Sequence, residues 1–79
     1  MIVPIRQVIP LADVSRYHVK KMKAVLERQG QIEPLQVRKL ESGLYMTFER
    51  DAHGSEIVCA AQELGWPTIL IVEMRRYEQ

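Results

Sequence analysis

The residues best suited to chemistry gather in one short stretch. Arg50, His53, Gly54 and Ser55 fall between a strand-like segment at 44–48 and an alanine-containing run that reads as a helix. A turn that feeds the amino end of a helix presents open backbone N–H groups and the positive end of the helix dipole, and both favour an anion. Gly54 permits close backbone approach, Ser55 adds a hydroxyl, and Arg50, His53 and the more distant Arg38 bring positive charge. The chemistry open to such a set is to hold a phosphate, as of a nucleoside triphosphate with magnesium. Other readings compete with it. Ser55 or Asp51 can simply cap the helix, and Arg50 can pair with Glu49 or Glu56 on the surface. Glu56 also sets a carboxylate beside the turn, which repels a phosphate by about 1 kcal/mol or more at short range. His53 has no second histidine or cysteine at ligand spacing, and Asp51 with His53 is a weak pair, so no metal site is expected.

A second cluster lies earlier. Arg16, Lys20 and Lys23 fall at i, i+4 and i+7 on one helical side, with Lys21 adjacent and Tyr17 beside them. Such a face can track a phosphate backbone, with salt-dependent contacts and little sequence preference. A solvated charged face is the plainer reading. Cys59 reads as a small core residue. Trp66 reads as a seal between the second helix and the last strand, or as an interface anchor.

The elements that must position these residues are legible from the pattern. A short edge strand is expected over 3–8, because β-branched residues favour extension while Pro4 and Pro10 disfavour a central place. Val19, Met22, Val25 and Leu26 form one stripe of a helix over 18–29, with Ser15 as cap and Gly30 as stop. Residues 32–40 read as a strand entered through Pro34, Glu41-Ser42-Gly43 as a turn, and 44–48 as the returning strand of a hairpin. A second helix runs from Gly54 or Ser55 to Leu64, buries Ile57, Ala60, Ala61 and Leu64, and stops at Gly65. After Pro67, residues 68–73 read as a strand whose unbroken Ile69-Leu70-Ile71-Val72 predicts burial on both faces. The expected class is α+β: a mixed sheet of about four strands with two main helices, in the order β-α-β-β-α-β. The 79 residues suffice for one small domain, with a polar tail from residue 74. A net charge of +1 does not announce a nucleic-acid binder. One cysteine excludes an intrachain disulfide, and no run is apolar enough to span a bilayer, so a cytoplasmic chain is expected.

Two patterns carry a family resemblance. Gln29-Gly30-Gln31-Ile32-Glu33-Pro34-Leu35-Gln36-Val37-Arg38 resembles the first box of the N-terminal domain of ParB-type plasmid and chromosome partition proteins. The stretch from Gly54 through Trp66, with the apolar strand after Pro67, is similar to that family's second box. The resemblance covers almost the whole chain and implies the ParB/sulfiredoxin-like fold. It also implies a connection with the maintenance, partition or transfer of plasmid or other mobile-element DNA. In the family, basic residues after the second-box glycine hold nucleotide phosphates. Here Gly54 is followed by Ser55 and Glu56. Sulfiredoxins carry a catalytic cysteine just after that glycine. Here that position is Ser55, and Cys59 lies a turn further on, so sulfiredoxin chemistry is not expected.

The resulting expectation is a non-catalytic ParB-like binding or regulatory module, with DNA, a protein partner or a second copy as its partner. One alternative is a nucleotide-dependent switch, nuclease or NTPase built on Arg38, Arg50, His53 and Ser55. In it Glu49, Asp51 and Glu56 would hold a metal that offsets the carboxylate. A further alternative is a dimerisation or interaction module without nucleic acid.

Overall fold

A computed structural model of the chain describes residues 1–10, 13–31, 33–48 and 52–74. Extended β-branched residues form β1 (Ile2–Pro4) and β2 (Val8–Ile9), separated by a 3₁₀ turn over Ile5–Gln7. Helix α1 spans Arg16–Gln29. Ser15 caps it, its Oγ accepting the His18 backbone N–H at 3.2 Å. Gly30 ends it at φ 73°, and its N–H donates to Leu26 O at 2.8 Å. β3 (Leu35–Lys39) and β4 (Tyr45–Thr47) make an antiparallel hairpin closed by Leu40 N–H to Leu44 O. Helix α2 spans Ala52–Glu63, and β5 (Thr68–Glu73) closes the order.

α2 ends in a double backbone lock. Gly65 N–H donates to Gln62 O and Trp66 N–H donates to Ala61 O, with Gly65 at φ 79°. Crossed bonds of this kind, turning on a left-handed residue, satisfy the last carbonyls of a helix. The half-buried Trp66 then packs against the core as the chain turns into β5.

The sheet order is β1-β5-β3-β4-β2. β3 is parallel to β5 and β2 is parallel to β4, while the β1–β5 and β3–β4 pairs are antiparallel. The expected single edge strand over 3–8 is therefore two strands on opposite edges, and the sheet has five strands rather than four. The physical cause is the 3₁₀ turn between them. Pro4 and Val8 are four Cα steps apart, at most about 15 Å. The edges of a flat five-stranded sheet would stand about 19 Å apart. The sheet must curl for both strands to pair, and the curl brings Tyr45 Oη of β4 to within 3.9 Å of Met1 Sδ beside β1.

One buried cluster joins Val3, Val8, Leu35, Val37, Tyr45, Ile69 and Ile71 of the sheet to Val19 and Leu26 of α1 and to Val58, Ala60 and Ala61 of α2. The two alanines let α2 sit close to its neighbours. The prediction that β5 is buried on both faces is corrected. Ile69 and Ile71 are buried, but Leu70 is half-buried and Val72 is 41% exposed. The helices share a core with Ile69 and Ile71 only, so the alternate residues face outward.

Gln31 reaches across from the end of α1 to the backbone of β5. Its carboxamide Nε2 donates to Leu70 O at 2.7 Å, and its Oε1 accepts Leu70 N–H at 2.8 Å. The amide thus acts as a missing peptide of the neighbouring strand. The pairing of β3 with β5 begins at Leu35↔Ile71, and the residue before it is Pro34, which has no N–H to give.

Candidate functional site

The two sequence patterns meet in space. Pro34, Leu35 and Gln36 at the entry to β3 and His53, Gly54 and Ile57 of α2 line one groove with Glu33, about 220 Å³ in volume. Helix α2 begins at Ala52, two residues before the earliest expected start, so His53, Gly54 and Ser55 lie within its first turn. Arg50, with Glu49 and Asp51, lies outside the described residues, so the expected roles of those three side chains are not placed. Arg38 is exposed on β3 opposite Met46 and does not line the groove.

Ser55 is fully buried and its Oγ lies 3.0 Å from Thr47 Oγ1, itself fully buried on β4. The hydroxyl ties the first turn of α2 to the sheet and does not reach the groove surface. Glu56 takes the outer position. Its side chain is only 12% exposed and stands between two imidazoles, with His53 Nδ1 at 3.3 Å from Oε1 and His18 Nδ1 at 3.9 Å from Oε2. Ser15 Oγ lies 2.8 Å from the same His18 Nδ1. A hydrolytic triad needs its hydroxyl and its carboxylate on different ring nitrogens. Here both address Nδ1, so Ser15, His18 and Glu56 form no relay. Among the described residues no group of three or more His, Cys, Asp or Glu side chains could hold a metal.

The basic face of α1 divides into two parts. Arg16 pairs with Glu63 of α2 through both terminal guanidinium nitrogens, Nη1 and Nη2, and Lys23 Nζ lies 3.3 Å from the same carboxylate. The hydrogen bond from Arg16, with that from Lys23, holds the Glu63 carboxyl down at about 2, and the same bond raises the Arg16 guanidinium. Burial pushes the Cys59 thiol up, and the Glu63 charge adds to it. Lys20 and Lys21 remain exposed, with Lys21 Nζ 5.3 Å from the centre of the Tyr17 ring. Tyr17 is 65% exposed and meets the His18 ring edge-on at 5.5 Å. The structure thus brings Tyr17, Lys20 and Lys21 together at the surface and turns Arg16 and Lys23 toward α2. No helix among the described residues is long and apolar enough to cross a membrane.

Sequence reasoning missed Gln31, Thr47 and Glu63. For Gln31 a signal exists: a polar amide three residues before Pro34, where a strand begins without a backbone donor. For Thr47 and Glu63 none does, because their partners lie in other elements.

No protein-family model matches the chain, and no curated protein matches it. Among solved structures, the crystal structure of sulfiredoxin from Arabidopsis thaliana is similar, with a TM-score of 0.72 over 96% of this chain and 86% of that one, at 24% identity. A likeness at that identity speaks for architecture and leaves activity open, since one fold hosts many functions. The chain has the ParB/sulfiredoxin-like fold: a curled mixed sheet of five strands with two helices.

Proposed function

We propose that the chain is a non-catalytic binding and regulatory module that works with the maintenance, partition or transfer of plasmid or other mobile-element DNA. The observation that carries the non-catalytic part is Glu56. Its carboxylate occupies the amino end of α2 between His53 and His18, where a phosphate would otherwise sit. The groove beside it, about 220 Å³, is below the roughly 300–1,000 Å³ usual for small-molecule pockets. The buried Ser55 hydroxyl is bonded to Thr47 and offers no surface nucleophile. The DNA connection draws on the resemblance of the two boxes and on the exposed Tyr17, Lys20 and Lys21.

The test is a titration of the chain with nucleoside triphosphates, with and without magnesium, following the Gly54 and Ser55 backbone amides. We expect both amides to stay silent at millimolar nucleotide. Localised shifts there, strengthened by Glu56→Gln, would instead favour a nucleotide-dependent switch or an NTPase.

A second reading, as a protein-interaction or dimerisation module, has its own observation. Ile2 and Leu70 stand in register on β1 and β5, and Ile2 is 68% and Val72 41% exposed. Sedimentation across a hundredfold range of concentration distinguishes it, since a self-associating chain gains mass.

A further inference from the structure

We propose that the solvent stripe of α1 formed by Tyr17, Lys20, Lys21, Ala24 and Arg28 is a surface for single-stranded nucleic acid. The inference rests on the nucleic-acid part of the function proposed above and names the strand class and the side chains. These positions follow one another at i, i+3, i+4, i+7 and i+11, so they share one side of the helix over about 16 Å. All of them are exposed. The opposite side of α1 is committed to the interior through Val19, Met22 and Leu26.

Charge selects a polyanion. Arg16 and Lys23, the cations nearest α2, share the carboxylate of Glu63. Among the described residues Lys20, Lys21 and Arg28 make no ion pair, and Lys21 Nζ lies 5.3 Å from the centre of the Tyr17 ring. Glu27 is the one acid on this flank of the helix. Three cations against one carboxylate, with small Ala24 between them, leave a shallow path along which phosphates can lie.

Tyr17 selects the single strand. Its ring is largely in water on a chain that has a sizeable apolar core available, and a lysine ammonium already lies over it. Exposed aromatic rings among cations hold unpaired bases by stacking, and every base offers a π face. A duplex keeps its bases stacked inside and would engage only the charges. The stripe carries no Asn, Gln or paired side chains set to read base edges, so sequence preference should be slight.

The experiment is fluorescence anisotropy of the full chain with labelled oligothymidylate and with a mixed-sequence duplex of equal length, between 50 and 200 mM salt. The variants are Tyr17→Ala, Tyr17→Phe, the triple Lys20→Gln/Lys21→Gln/Arg28→Gln, and Lys39→Gln as a cation elsewhere on the surface. Equal melting curves check that each variant is folded. We expect tighter binding of the single strand and a loss of about 5- to 150-fold for Tyr17→Ala. Tyr17→Phe and Lys39→Gln should stay close to wild type. The triple variant should flatten the logarithmic salt slope by about two, at roughly 0.7 per phosphate contact. Equal affinity for duplex and single strand, with Tyr17→Ala unchanged, would overturn the single-strand assignment. Binding indifferent to all these variants would overturn the surface and leave the functional reading standing. Absence of binding to either nucleic acid at 50 mM salt would overturn both.

Discussion

The hydroxyls of Ser55 and Thr47 form a pair closed off from solvent at the first turn of α2. A serine beside a glycine at the start of a helix reads as a cap or an anion ligand. In the fold its Oγ is buried against Thr47 Oγ1. Nothing in the local sequence shows this, because Thr47 belongs to a different element. Glu63 is a second case. The bond from Arg16, with the contact from Lys23, lowers its carboxyl from the usual 4.5 to about 2. A carboxyl lowered in the folded state adds stability that is complete above the unfolded value and is lost as pH falls toward the folded one. Wild type should therefore lose stability between about pH 4.5 and 2 through this group, and Glu63→Gln should lack that part of the loss. Urea midpoints measured across this window check it. Parallel pH curves for the two proteins would show that the Arg16–Glu63 contact is too solvated to matter.

At the scale of elements, the helices and the hairpin follow from local signals. Ser15 and Gly30 bound α1 because an N-cap hydroxyl and a left-handed glycine are local devices. Gly43, at φ 94°, closes the hairpin for the same reason. The β3–β5 junction is different, because Gln31 substitutes there for backbone that Pro34 cannot supply. Gln31→Ala should lower stability by about 1–2 kcal/mol, as expected for losing part-buried hydrogen bonds. Gln31→Glu should do no better, since a carboxylate would face the Leu70 carbonyl that the amide now donates to. Denaturant titration measures both, and amide exchange at Leu70 should quicken in each variant. Unchanged exchange there would rule out the clamp.

For the whole molecule, the curl of the sheet is the main constraint. β1 and β2 are neighbours in the chain yet sit at opposite edges, so the curl brings the two ends of the sheet toward one another. β1 covers β5 through the pairs Ile2↔Leu70 and Val3↔Ile69, and Met1 exchanges backbone bonds with Ile71. Removing residues 1–4 would uncover an apolar strand edge. The shortened chain should melt at a lower temperature with a broader transition, and should associate as concentration rises. Circular dichroism melting with light scattering tests this. A shortened chain that melts as hot and as sharply as the full one would show that β1 is dispensable.

Features that depend on near neighbours in the chain were legible before folding is considered. These are the two helices and their caps, the hairpin turn, the last strand, and the resemblance that implied the fold. The sequence also placed the two boxes whose residues line one groove, although Arg38 does not join them. Tertiary structure decided what depends on residues far apart in the chain. It split the first strand between two edges, left Thr68 and Val72 of β5 exposed with Leu70 half-buried, and buried Ser55. It set Glu56 between His18 and His53 and divided the cations of α1 into a pair held by Glu63 and a stripe open to solvent. Periodicity records which side of an element is apolar. Which charge finds a counter-charge, and which hydroxyl finds another, is fixed only when separate elements meet.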